Sequence, residues 1–454
     1  MTERTVFLHD VPLEAARARF DETLRAAGVR NDATETLALD DALDRVTAAP
    51  VIARLSSPHY HACAMDGIAV VAARTAGALE TAPVELALGT DAVIVDTGDP
   101  LPDGFDAVIA IEQVEPRAEG RVAVRAAVAA FQHVRAIGED IVASEVVVPA
   151  LRRLGVADLA ACAAAGVAAV EVVRRPRVAV ITTGDELVDV TTDAPAAGAI
   201  LDSNGVLLRA CVRTYGGDVV LARRVPDEEE ALITAVRDAI DAADVVVVNA
   251  GSSAGRDDYT ARTFATFGEV VVHGVAIRPG HPLVLAVARP STGSEHAGIP
   301  LLGIPGYPVS AAICAELFLR PLLERLGRRD APETREIEIE LTRKLYSPLG
   351  EDEYVRAVAA RVDGRLVATP LRRGAGVITS LSRANVLITV PRFSEGARAG
   401  TRMKARALRS LAQIERTLLA VGSHDVALDL LAGRLAVHDV ELVSAHVGSI
   451  AGLV

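Results

Sequence analysis

Apolar residues recur at helical spacing over residues 11–30, where Leu13, Ala16, Phe20, Leu24 and Val29 share a face and Gly28 stands near the stop. The spacing predicts a helix there, and residues 34–47 read as a second. From 51 to 149 the pattern changes to short runs such as GIAVVA, DAVIVDTG and GRVAVRAAV, broken by Gly, Pro and Asp. That predicts a β-rich segment. A helical stretch returns at 158–167. Beyond Pro176, RVAVITTGDEL and DVVVVNAG read as buried strands, and EEEALITAVRDAIDAA as an amphipathic helix. LLGIPGYPVSAAICAELFLRPLLERLG reads as strand, turn and long helix. Strands alternating with helices predict a parallel, doubly wound α/β sheet over about 176–328. Residues 333–408 return to short alternating strands, as in a small β-barrel or sandwich. Residues 409–454 read as a further β-α-β-like piece.

Composition narrows this picture. The 454 residues suggest about three domains at roughly 150 residues each. Half are hydrophobic and 24% are charged, an ordinary globular balance. Aromatics are 3% with no Trp, so the core must be aliphatic. The net charge of −13 argues against nonspecific nucleic-acid or anionic-membrane binding, though not against one local anion site. Lys344 and Lys404 are the only lysines, so the cations are nearly all planar guanidinium forks. Four cysteines without a C-x-x-C pair exclude a zinc ribbon and argue against a disulfide scaffold. No basic-then-apolar leader and no long apolar run are found, so the expectation is a soluble, cytoplasmic chain.

In an open parallel sheet, ligands bind beyond the carboxyl ends of the strands. Four loops of the 176–328 segment fall there. They contain Thr183, Gly184 and Glu186; Asp202, Ser203 and Asn204; Gly251, Ser253, Gly255, Asp257 and Asp258; and Pro305, Gly306 and Pro308. Small residues and a following helix N-terminus suit a phosphate. The carboxylates Glu186, Asp202, Asp227, Asp257 and Asp258 add hard oxygens suited to Mg²⁺. Each loop also has a plain reading as a tight connection, and Asp202 as a helix N-cap. Arg278 and His281, in R-P-G-H-P, offer cations before another strand, or simply surface charge. His59, His61 and Cys63 are spaced as transition-metal ligands, and Asp66 before Gly67 as a turn.

Taken in order, these segments resemble the molybdopterin molybdenumtransferase family, which includes the E domain of gephyrin. A-M-D-G at 64–67 is similar to the family's S-A-M-D-G. Thr97-Gly98 followed by L-P-D-G-F-D-A-V at 101–108 is similar to its T-G-x-x-x-P-x-G-A-D-A-V. G-E-D-I at 138–141, T-G-D-E-L at 183–187, D-S-N at 202–204 and G-I-P-G-Y-P-V-S at 303–310 follow likewise.

The resemblance implies a helical linking domain (10–50 and 150–175) and an inserted β-rich domain (51–149). It also implies a molybdopterin-binding α/β domain (176–328) and a C-terminal β-barrel domain (333–408). It implies a homodimer, with the active site between the α/β domain of one subunit and the inserted domain of the other. The implied reaction consumes adenylylated molybdopterin and molybdate and releases AMP, with Mg²⁺ held by Glu186, Asp227 and Asp258. The implied catalytic set is Asp66, Thr97, Glu186, Asp227 and Asp258. The implied substrate contacts are Thr183, Gly184, Asp202, Ser203, Asn204, Gly251, Ser253, Gly255, Arg278, His281, Pro305, Gly306, Pro308 and Ser380. The molybdopterin adenylyltransferase is an implied partner.

The chain also departs from the family. Where relatives read K-x-x-x-K-P-G-K-P, it has Gly274, Arg278 and His281 at the three lysine positions. Ala250 replaces the first Gly of G-G-x-S-x-G, and Tyr307 replaces an Asn. The tail 412–454, with G-S-H-D at 422–425 and S-A-H-V-G-S at 444–449, resembles the opening of a periplasmic-binding-protein-like domain. On this reading it is a partial extension that needs partners to bury its strands. Alternative functions are a non-catalytic molybdopterin- or molybdate-binding regulator, a tungstate-inserting variant, and a scaffold of the gephyrin kind.

Overall fold

A computed structural model describes residues 10–250, 257–289, 298–331, 333–423 and 425–446. The chain divides into two units, one of residues 1–31 with 175–454 and one of residues 32–174. Among the described residues no helix is long and apolar enough to cross a membrane.

The larger unit is built on a six-stranded sheet. Its strand order is Asp218–Val225, Arg177–Thr183, Val245–Ala250, Ile299–Pro305, Val284–Ala288, Gly268–His273. The first four run parallel. The last two run antiparallel to their neighbours, so the sheet is mixed and not wholly parallel. The difference lies in residues 274–283. Gly274, at φ +94°, and the turn through Pro279–Gly280 return the chain directly, with no crossover helix between the two strands. Helices cover both faces: Leu13–Ala26 and Ser203–Thr214 pack over Val180, Val247 and Leu302, and Glu229–Ala242 over Ala179 and Val248. The run Val245–Val248 is wholly buried because both its faces are covered.

The long helix predicted after Pro308 is interrupted. It runs as Pro308–Cys314, a π-helical turn at Ala315–Leu319, and Arg320–Leu326. The turn brings Glu316 within reach of Tyr215, Arg320 and Arg406.

Residues 336–407 close into a five-stranded barrel. Asp352–Val362 pairs with both Arg365–Pro370 and Val386–Val390, and Glu336–Leu341 and Arg402–Ala407 complete the ring. Ile339, Val355, Ala357, Ala368, Ile388 and Ala405 fill it. The tail folds as Thr417–Gly422, Val426–Ala436 and Glu441–His446, with its two strands parallel. Leu419, Val443 and Ala445 pack on Val358, Leu371 and Ala384 of the barrel. The barrel therefore buries one face of the tail's strands, which corrects the expectation that they need an outside partner.

In the smaller unit, Gly67–Val70 runs between Ala92–Val95 and Ala107–Ala110. Ile68, Val70, Leu86, Ile109 and Val122 form its core. Residues 34–47 are not a helix. Thr34–Ala38 is a strand paired with Ala169–Val173, followed by a short 3₁₀ turn. The segment T-E-T-L-A alternates in exposure, and two β-branched threonines favour the pleated partner over a helical turn.

Candidate functional site

The chain leaves Arg177–Thr183 outward to Asp218–Val225 and returns to Val245–Ala250 on the other side. The crevice beyond the carboxyl ends of Arg177–Thr183 and Val245–Ala250 is therefore the switch point of the sheet, where an open α/β sheet binds ligands. Its floor is a polar network. Asp202 caps the helix Ser203–Thr214: its Oδ1 accepts from Gly205 N at 2.8 Å, and its Oδ2 accepts from the Thr182 hydroxyl at 3.0 Å. Asn204 Nδ2 donates to Asn249 Oδ1 at 3.0 Å and to the Gly306 carbonyl at 2.6 Å. Asn249 Nδ2 in turn donates to the carbonyls of Ile304 and Pro305. Because the Gly306 carbonyl it meets can only accept, the Asn204 amide must present its nitrogen there. That leaves Asn204 Oδ1 buried and, among the described residues, without a hydrogen-bond partner.

The Asp202 carboxylate occupies the amide end of the Ser203–Thr214 helix, and Val309 N donates to the Ala375 carbonyl. The helix N-termini that the sequence offered to a phosphate are thus partly spent on the protein's own acceptors. What remains is one buried amide oxygen with no hydrogen-bond partner among the described residues.

The acids gather one strand further out. Asp185 Oδ1 accepts from Asp227 N at 3.0 Å. The Glu186 carboxylate lies so close to Gly184 that a Cβ there would come within 2.9 Å of it. Gly251, Ser253, Gly255 and the side chain of Asp258 lie outside the described residues. Among the described residues no three His, Cys, Asp or Glu groups converge to hold a metal ion. Glu186 and Asp227 are two hard-oxygen donors, short of the expected trio.

Pro305 ends the strand next to Ala250, and Pro308 opens the following helix at its first turn, where its missing N–H costs nothing. Val284 pairs with Gly303, so the turn before it, with Arg278 and His281, lies at the same sheet edge. Arg278 Nε donates to Glu351 at 2.8 Å. Ser380 is buried: its hydroxyl donates to the Val377 carbonyl and accepts from Arg356 Nε. Arg356 also holds the carbonyls of Arg372 and Gly374 in the loop whose Ala375 meets Val309. Ser380 thus supports that loop. Ser203 starts its helix exposed to solvent.

Sequence reasoning missed Asn249, Arg356 and Glu351. Only Asn249 carried a signal, as a polar residue closing the apolar run V-V-V-V-N.

In the smaller unit, Asp66 and Thr97 come together. Asp66 Oδ1 accepts from the Thr97 hydroxyl at 2.6 Å and from its amide at 2.7 Å. The hydroxyl bond, then the amide bond, hold the Asp66 carboxyl below the usual aspartate range. Thr97→Val is expected to raise the Asp66 pKa towards an ordinary aspartate's. Carboxyl NMR titration measures this, and an unmoved pKa would mean the contact does not persist in solution. Gly67 is required where it stands, because a Cβ there would collide with the Ile109 carbonyl. Of the possible metal ligands nearby, Cys63 is buried, and His61 Nδ1 accepts from Ile137 N at 3.3 Å.

Three family matches cover most of the chain. Residues 11–166 match the MoeA N-terminal region (domain I and II), residues 179–325 the "Probable molybdopterin binding domain", and residues 338–407 the MoeA C-terminal region (domain IV). A molybdopterin molybdenumtransferase of Bacillus subtilis is 30% identical over 83% of this chain and 90% of its own length. Molybdopterin molybdenumtransferase 2 of Mycobacterium tuberculosis is 32% identical over 81% and 94%. The crystal structure of a molybdopterin biosynthesis MoeA protein from Pyrococcus horikoshii superposes with a TM-score of 0.71. It is 28% identical and covers 88% of this chain and all of that one.

Proposed function

The chain belongs to the molybdopterin molybdenumtransferase family, transferases of molybdenum cofactor biosynthesis, and we propose that it inserts molybdenum from molybdate into adenylylated molybdopterin with release of AMP. The observation that carries this reading is the Asp202–Asn204–Asn249–Gly306 network at the switch point, with one amide oxygen left to accept. A pterin carries N–H donors for that acceptor, and its charged arm can extend along the edge towards Arg278 and His281. The task is oxyanion exchange on a dithiolene with loss of a phosphoryl group. It calls for positioning and cations against developing charge, with no protein nucleophile. Within the smaller unit, Asp66, held ionised by Thr97, is the proposed functional acid.

Magnesium is the proposed metal, with Glu186, Asp227 and Asp258 as its ligands. The described residues supply two of these three carboxylates. Its chemistry there would be to screen phosphate oxygens. Chelation with EDTA is expected to lower turnover at least ~10-fold, with recovery on adding Mg²⁺. Full activity in chelator would remove the metal from the proposal. The proposed assembly is a cytoplasmic homodimer that takes its substrate from a molybdopterin adenylyltransferase. Sedimentation of the purified protein as a monomer would contradict the dimer.

Molybdate-dependent release of AMP from adenylylated molybdopterin tests the reaction. Tight substrate binding without release would leave the chain a binding regulator. A parallel reaction with tungstate decides between the two oxyanions, which are close in size and equal in charge.

A further inference from the structure

Arg278 and His281 share a partner that no sequence motif marked. Glu351 lies on the turn before the barrel strand Asp352–Val362. Its carboxylate accepts from Arg278 Nε at 2.8 Å and stands 3.4 Å from His281 Nδ1. Backbone pairing puts it there: Ile277 is in register with Asp352, and Arg278 with Glu353. The Glu351 side chain is 20% exposed and that of His281 25%, against 52% for Arg278. The acid is therefore the sheltered member and the guanidinium the open one.

The pairing is incomplete on both sides. Arg278 uses only Nε; Nη1 and Nη2 make no hydrogen bond among the described residues. His281 Nδ1 is sealed from solvent, yet among the described residues it makes no hydrogen bond of acceptable geometry. Its Nε2 stands 3.4 Å from Asp10. Arg278 and His281, at the rim of the crevice, thus share the Glu351 carboxylate, which satisfies neither fully, while His281 also faces Asp10.

We propose that Glu351 is a built-in competitor for a tetrahedral oxyanion. It occupies the anion position of Arg278 and His281 in the free protein, and a bound dianion displaces it. Physically, the carboxylate keeps the Arg278 guanidinium compensated while the site is empty. A tetrahedral dianion takes over the Arg278 fork with two donors where Glu351 uses one, and repels the Glu351 carboxylate as it does so. The affinity observed is the difference between those two interactions, so Glu351 weakens binding and favours doubly charged anions over singly charged ones. This proposal rests on the reading of the edge as an anion-binding part of the transferase site. The oxyanion can be molybdate or the phosphoryl end of the nucleotide, which share this chemistry.

Calorimetric titration of the full chain with molybdate alone, and separately with AMP alone, tests it without requiring turnover. Glu351→Gln keeps the shape and an acceptor while removing the charge. It is expected to bind the displacing oxyanion about five- to tenfold tighter than wild type, about 1–1.4 kcal/mol. Arg278→Ala is expected to bind more weakly, and in the Arg278→Ala background Glu351→Gln is expected to gain little. The arm that responds, molybdate or AMP, identifies the anion. Unchanged or weaker binding of both ligands by Glu351→Gln overturns the proposal, as does the absence of measurable binding in every variant. Thermal melting of each variant separates these results from loss of fold. A tighter Glu351→Gln without AMP release from the wild type would uphold the competitor and sink the transferase reading. AMP release with no effect of Glu351→Gln would do the reverse.

Discussion

Gly67→Ala is expected to lower the stability of the smaller unit by about 3–5 kcal/mol, a fall in its melting temperature of about 10 °C or more. Gly67 opens the middle strand of three, bonded to Ala92–Val95 on one side and Ala107–Ala110 on the other. A methyl group there would meet the carbonyl of Ile109, a backbone atom held by the same ladder. A flexible side chain could swing aside, but the Ile109 carbonyl is backbone of the neighbouring strand Ala107–Ala110 and cannot move without disturbing that strand's pairing with Gly67–Val70. Gly98→Ala provides the contrast. It sits at φ +95°, and its Cβ meets no atom within 4 Å, so its cost is the left-handed backbone alone, about 1 kcal/mol. Differential scanning calorimetry of both variants checks this. Equal and small effects would show that the approach of Gly67 to Ile109 is looser than described.

Asn204→Leu is expected to lower kcat/KM about 100-fold while the chain stays folded. The substitution keeps the volume and removes the amide. Asn249 Oδ1 and the Gly306 carbonyl then lose their donor inside a buried site, at about 1–3 kcal/mol each. The strand ends stay joined through Asn249, but the helix start at Asn204 loses its tie to both Asn249 and Gly306. The ligand loses its acceptor as well. Asn204→Asp separates these effects, since it keeps the acceptor oxygens but cannot donate to Gly306. Steady-state kinetics with circular dichroism measure both. A folded Asn204→Leu with unaltered kcat/KM would place the substrate elsewhere.

Much of the crevice was legible because its residues sit in short, ordered motifs. D-S-N gave Asp202 and Asn204, G-Y-P gave Pro308 opening its helix, and T-G-D-E gave Glu186 beside Gly184. The geometry added their division of labour: Asp202 is spent on capping Gly205 and holding Thr182, while one oxygen of Asn204 is left without a partner among the described residues. Glu351 was invisible for a different reason. Its role comes from the register of Ile277–Arg278 against Asp352–Glu353, some 70 residues apart in sequence, and local patterns carry no information about such pairing. The antiparallel strands Val284–Ala288 and Gly268–His273 are as apolar as parallel ones, so only the short return through Pro279–Gly280 distinguishes them. Thr34–Ala38 read as helix because apolar positions at 37, 39, 42 and 43 suit a helical face, yet pairing with Ala169–Val173 prevailed.

The most direct measurement is AMP release from adenylylated molybdopterin by wild type and Asn204→Leu side by side, with and without molybdate. If the switch-point crevice holds the pterin for molybdenum insertion, wild type releases AMP only when molybdate is present, and Asn204→Leu does so about 100-fold less efficiently. Release that is independent of molybdate, or equal in the two proteins, would contradict it.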